Sequence, residues 1–83
     1  MHYFVYILYS EFRDRFYIGS SSNPEERLLR HNAGATQSTK SGRPWIIVYT
    51  HKHLTKSEAL KHEIYLKKMK SRVYLEKLIR QCN

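Results

Sequence analysis

The sequence predicts an α/β fold, a small three-stranded antiparallel sheet flanked by helices in the order β-β-α-β-α-α. Three observations carry it. Residues 3–9 and 16–18 are dense in aromatic and β-branched side chains, and a short polar stretch joins them. A third such run lies at 44–49. Two helix starts are written in full, Asn23-Pro24-Glu25-Glu26 and Thr55-Lys56-Ser57-Glu58.

The first run barely alternates in polarity, which predicts a strand buried on both faces. A turn at 10–13 makes it one half of an antiparallel hairpin, with Gly19 ending the second strand. Asn23 is an N-cap, Pro24 suits the first helical position, and Glu26 completes a capping box. Both acids also favour the positive end of the helix dipole. That helix is expected to reach about Asn32 and stop at Gly34. Residues 33–43 are small, polar and basic and read as an exposed loop, either a connector or a flexible phosphate-contacting segment. Pro44 opens the third strand. Thr55 caps a helix to about Lys70, and Ser71 caps a last one toward Gln81.

At 83 residues the chain is expected to be one domain, 1–83. So short a chain buries only about 60–65 % of its unfolded surface, and any substrate must bind on the face that does the chemistry or be presented by a partner. The net charge of +8 favours polyanions through phosphate contacts and counterion release. The basic residues are spread over several segments rather than gathered on one amphipathic helix, which disfavours a membrane surface. A single cysteine, Cys82, excludes an internal disulfide or a cysteine-based zinc site and suits a reducing, cytoplasmic setting. No secretory signal or membrane span is expected.

Several residues carry possible chemistry. A hairpin closed at 10–13 sets Tyr6 opposite Tyr17, so that their hydroxyls converge on one face; either phenol alone is equally explained by packing. Arg27 and His31 lie four apart on a capped helix and share a face, suited to an anion or to plain solvation, while Leu28 and Leu29 turn to the core. Stepping about 100° per residue, Glu63 falls within the arc covered by Leu66, Ala59, Leu60 and Ile64. An inward carboxylate needs a metal or an ion pair, and Lys67 stands four residues on. His51, His53 and His62 together with Glu63 make only a weak zinc set. A serine nucleophile elbow and a glycine-rich phosphate loop are both missing.

Taken in order, these residues resemble the GIY-YIG nuclease family. Phe4-Val5-Tyr6 stands at the first motif, with Phe4 in place of its glycine, and Tyr17-Ile18-Gly19 matches the second in full. The run from Tyr17 to Leu28 is similar to the family's path to its arginine. His31-Asn32 and the stretch from Arg43 to Tyr49 resemble small single-domain bacterial members and the catalytic half of Slx-type structure-selective nucleases. Ser57 to Glu63 resembles the helix with the metal-binding glutamate.

The resemblance implies a divalent-metal-dependent endonuclease acting on nucleic acid, with DNA the expected polymer. It implies Mg²⁺ or Mn²⁺ on Glu63, Arg27 on the phosphate, Tyr6 or Tyr17 positioning or deprotonating the water, and His31 orienting a tyrosine or relaying the proton. Lys40, Arg43, Lys67, Lys68 and Lys70 are expected backbone contacts without base specificity. Two alternatives stay open: a non-catalytic basic binding module, and a subunit activated by a protein partner.

Overall fold

The computed structural model describes residues 2–69 and 71–81. The expected Lys70 contact and the cysteine at 82 lie outside the described residues. The elements are β1 (Tyr3–Ser10), β2 (Arg15–Ser21), α1 (Pro24–Asn32), β3 (Trp45–His53), α2 (Lys56–Met69) and α3 (Arg72–Gln81), with a 3-10 turn at Lys40–Gly42. The expected order of elements is therefore present.

The sheet runs β2-β1-β3 with both pairings antiparallel. β1 is central, which is why its sequence does not alternate: Val5, Tyr6, Ile7 and Leu8 are all fully buried. Val5 and Ile7 face α2 and α3 and pack with Tyr49, Ala59, Leu66 and Leu75. Tyr6 and Leu8 face α1 and pack with Trp45, Tyr17, Leu28 and Ile47. Each such side chain contributes about 1.5–3 kcal/mol by leaving water, so a chain this small depends on filling both layers from one strand.

The hairpin closes one residue later than the sequence suggests. Ser10 is still in the strand and fully buried; its Oγ donates to Gly42 O (2.6 Å) and accepts from Arg13 N–H (3.1 Å). Asp14 takes a left-handed φ of 53°, which aspartate tolerates, and its carboxylate accepts from Tyr9 Oη and Arg72. The register therefore shifts by two: Tyr6 pairs with Gly19, and Leu8 with Tyr17. Parity is unchanged, so the two phenols keep a common face. Gly19 lies inside β2 rather than at its end. β3 runs on through Thr50 to His53, because Tyr3–Tyr6 continue to pair with it.

α1 begins and ends by the expected chemistry. Asn23 Oδ1 accepts from Glu26 N–H (3.2 Å). Glu26 does not return the bond, because its carboxylate pairs with Arg30 (3.1 Å) and Asn23 N–H donates to Ser21 Oγ (3.0 Å). Gly34 at φ 81° closes a Schellman motif, with Gly34 N–H to His31 O and Ala35 N–H to Arg30 O (both 3.1 Å). Leu28, His31 and Asn32 form the inward stripe. Leu29 is 70 % exposed, a correction that follows from its lying a further 100° or so around the helix.

α2 also packs on a narrower stripe than its apolar residues suggest. Ala59 and Leu66 are buried, but Leu60 and Ile64 are exposed. The small Ala59 side chain lets the helix lie close to the sheet, and the contact stripe is centred on it. Thr55 Oγ1 accepts from Glu58 N–H (3.2 Å) and donates to its carboxylate (3.1 Å), and Ser71 Oγ accepts from Tyr74 N–H (3.2 Å), so both expected caps are formed.

Residues 33–43 are not simply an exposed loop. Thr39 is 1 % exposed and Gly42 is buried. Asn32 Oδ1 accepts from Trp45 N–H (2.6 Å) while its Nδ2 donates to Trp45 O (3.0 Å), and Trp45 Nε1 donates to Thr39 O (2.8 Å). One amide side chain thus ties α1 to the start of β3. Asn32→Ala leaves both backbone groups of Trp45 without that partner and is expected to lower the unfolding free energy by about 2 kcal/mol in chemical denaturation. A change within experimental error would show that the amide clamp is dispensable.

Candidate active site

The site begins with the ring of Tyr6 lying across Gly19. A Cβ at Gly19 would stand 2.5 Å from Tyr6 Oη and 2.7 Å from Cζ, so only glycine admits this approach. Through it a hydroxyl from the central strand reaches over the edge strand β2. Tyr6 Oη is buried and, among the described residues, has no hydrogen-bond partner. Such a group costs about 1–3 kcal/mol and marks a place where a ligand atom is expected. Burial pushes the Tyr6 phenol above its ordinary pKa; Arg27 opposes this, while Tyr17 and Glu63 add to it. Arg27 stands near enough to favour the phenolate, without a hydrogen bond of ordinary geometry to Oη. Burial prevails, and Tyr6 stays protonated at neutral pH.

Tyr17 shares that face, two pairs further along the ladder. Its ring packs against His31 (centroids 4.7 Å, 60°) and against the edge of Trp45 (6.4 Å). His31 is 3 % exposed, and its Nδ1 lies 2.8 Å from Thr39 Oγ1. The Thr39 hydroxyl also reaches Thr36 O (3.3 Å). We assign the tautomer that satisfies both contacts, with the proton on Nδ1 and a lone pair on Nε2. Burial first, and the Arg27 charge second, hold the His31 pKa below its usual value, so the ring is neutral at pH 7.

The acid arrives from the other layer. Ser20 pairs with Val5 and so faces α2. Its Oγ donates to Glu63 Oε1 (2.6 Å), and Lys67 Nζ donates to Oε2 (2.7 Å). The Glu63 side chain is 16 % exposed. Both sequence expectations for Glu63, an inward face and an ion pair with Lys67, are realised together. Glu63 thus lies at the seam between α2 and β2, within electrostatic reach of the Tyr6 phenol.

The other predicted residues are divided. Arg43 Nε donates to Lys40 O (2.8 Å), so these two sit together in the segment after α1, whereas Lys67 is held on the acid. His51, His53 and His62 do gather, with ring centroids 4.7–5.3 Å apart and His53 Nε2 at 2.9 Å from His62 Nδ1. Yet no group of three or more His, Cys, Asp or Glu among the described residues is placed to hold a metal ion. Sequence reasoning gave no role to Ser20, which holds the acid, or to Thr39, which holds His31. The Ser20-Ser21-Ser22 run after the second tyrosine motif is the only signal for the first, and the second needed the folded loop.

Residues 2–77 match the family model described as the GIY-YIG catalytic domain. The chain belongs to the GIY-YIG family. A UPF0213 protein of Enterococcus faecalis is 40 % identical over 72 residues, covering 82 % of this chain and 78 % of that one. The structure-specific endonuclease subunit SLX1 of Debaryomyces hansenii is 42 % identical over 69 residues, covering 74 % of this chain but 20 % of that protein. The solution NMR structure of a UPF0213 protein of Bacillus halodurans is similar with a TM-score of 0.58 and 29 % identity, over 98 % of this chain and 85 % of that chain. Tyr6, Tyr17 and Gly19, which the sequence resemblance set at the two tyrosine motifs, are the residues that build the phenol face described above.

The buried His31 gives a signed pH expectation. As pH falls, the unfolded chain takes up a proton near pH 6.5 while the native ring still resists it. Stability is therefore expected to fall as pH drops below about 6.5, until the lowered native value is passed. NMR titration of the His31 imidazole is expected to show a midpoint below that of an unfolded peptide, and a midpoint at or above it would contradict the geometry.

Proposed function

We propose that the protein is a divalent-metal-dependent endonuclease that hydrolyses phosphodiester bonds in nucleic acid, with DNA as the polymer. The observation that carries this is the orphaned, buried Tyr6 hydroxyl set within reach of Arg27, Tyr17 and Glu63. The site has the parts of a phosphate-hydrolysing centre: a cation for the phosphate, phenols for the water and a single acid.

The donor set fits Mg²⁺ or Mn²⁺ better than zinc. It offers one carboxylate, held by oxygen and ammonium partners, which suits a hard cation that keeps waters and takes substrate oxygens. Glu63 would hold the ion, with Ser20 fixing one carboxylate oxygen and the other exchanging Lys67 for the metal. When bound, the cation supplies positive charge to the scissile phosphate and to the leaving 3′ oxygen.

The protein's own residues divide the remaining work. Arg27 holds a phosphate oxygen and the charge that grows on it. Tyr6, kept neutral by burial, donates its hydroxyl proton in a hydrogen bond to the bound substrate or water. Water activation then falls to the Tyr17 side of the site, where the neutral His31 ring lies against the phenol ring and offers Nε2 to a proton. The net charge of +8 draws the polyanion to the protein.

One observation favours a second reading. Glu63 is fully partnered by Ser20 and Lys67, as it would be in a basic binding module that does not turn over. The SLX1 relative is a subunit by name, which keeps activation by a protein partner within the same test.

Glu63→Gln separates the readings. It is expected to abolish Mg²⁺- or Mn²⁺-dependent nicking, a loss of at least about a thousandfold, while nucleic-acid binding measured by anisotropy survives. Retained cleavage in that variant would sink the proposed role of the acid. Arg27→Ala is expected to lower the cleavage rate far more than affinity, and equal losses in both would point to a binding role alone.

A further inference from the structure

We propose that the cleft between the β1–β2 turn and residues 38–42 is a second phosphate site, which takes a neighbouring phosphodiester of the strand being cut. The identity of that ligand rests on the nuclease reading; the chemistry of the cleft does not involve Glu63. The cleft has a volume of about 390 Å³, and Arg13, Arg15, Tyr17, Ser38, Thr39 and Ser41 are among its lining residues.

Its charge is of one sign. Among the described residues no carboxylate lines it. Asp14 lies between the two arginines in sequence, but its carboxylate is engaged by Arg72 and Tyr9, which hold its pKa down. Among the described residues neither Arg13 nor Arg15 forms an ion pair. Arg13 makes a long contact, Nε to Ser41 O at 3.5 Å, and its guanidinium lies 5.4 Å from the centre of the exposed Phe12 ring. Two guanidinium groups without carboxylate partners, facing serine hydroxyls, make a set of donors suited to phosphate oxygens.

The walls are built before any ligand arrives. Buried Ser10 joins them directly, donating to Gly42 O on one side and accepting from Arg13 N–H on the other. Trp45 Nε1 fixes Thr39 O at 2.8 Å. Gly42 lies so close under Trp45 that a Cβ would stand 2.5 Å from Cζ2. A frame tied at both sides loses little freedom on binding, which favours affinity. Tyr17 belongs both to this cleft and to the candidate active site. A strand whose scissile phosphate lies at the Tyr17 hydroxyl therefore has a charged, preformed path onward.

The test is the salt dependence of binding to a short fluorescein-labelled DNA single strand, read by anisotropy without divalent metal. Arg13→Gln/Arg15→Gln is compared with the wild type and with Lys77→Gln/Arg80→Gln on α3, which removes the same charge elsewhere. The cleft variant is expected to bind about tenfold more weakly at moderate salt, with a log–log salt slope shallower by about 0.7 for each phosphate it no longer neutralises. The control variant is expected to keep the wild-type slope. Arg13→Lys/Arg15→Lys is expected to restore the slope but not the full affinity, because lysine lacks the fork. Equal changes in the cleft and control variants, an unchanged slope in the cleft variant, or no binding by the wild type would overturn the proposal. So would displacement of the strand by inorganic phosphate at matched phosphate concentration and ionic strength, which identifies a site for the free anion. Wild-type protein that shows the slope difference yet cleaves nothing keeps this site and loses the nuclease reading. Protein that cleaves, but whose cleft variant binds like the control, does the reverse.

Discussion

A phenol ring laid across a glycine is the contact on which the rest of the site depends. Tyr6 is on the central strand, where a side chain is normally lost in the core. Gly19 removes the obstacle beside it, and the hydroxyl, though still buried, lies over the edge strand. There it meets influences from both layers: Arg27 on α1, Tyr17 on β2 and Glu63 on α2 all act on its ionisation. A side chain at position 19 would move the ring and scatter this set. The unpaired hydroxyl is a cost the folded protein carries, and the packing of Tyr6 with Leu8 and Trp45 offsets it.

The acid is held by a separate device. Ala59 and Leu66 fix how α2 lies on the sheet, and that orientation turns Glu63 toward the edge strand. Ser20 and Lys67 then take one carboxylate oxygen each. A carboxylate so placed costs little to bury, because it is partnered and not fully buried. Lys67 is therefore better described as the ion that occupies the acid than as a free contact for nucleic acid. Arg13 and Arg15 at the hairpin turn form no ion pair among the described residues.

Much of this was legible in the sequence, for identifiable reasons. Helix starts are local, so Asn23, Thr55 and Ser71 were readable as caps. Parity survives an error of two, so the common face of Tyr6 and Tyr17 held although the turn was misplaced by one residue. What was not legible depends on contacts between distant segments. The left-handed Asp14 and the buried Ser10 reset the hairpin only because Arg72 and Gly42 come to meet them. Leu29, Leu60 and Ile64 read as core residues, since apolarity alone does not say how wide a stripe a helix buries. Thr39 read as loop, although folding buries it beneath His31 and Trp45. Gly19 read as the end of a strand, whereas its role is to make room.

The central claim is that the phenols, the guanidinium and the acid form one hydrolytic centre at the edge of the sheet. Its most direct test is to incubate wild-type protein with end-labelled linear, nicked and branched DNA, with Mg²⁺, Mn²⁺ or a chelator, and to analyse the strands under denaturing conditions. Internal cuts that require the metal and leave a 3′ hydroxyl and a 5′ phosphate are the predicted result. Intact strands of every substrate with either metal, from protein that demonstrably binds them, would contradict it.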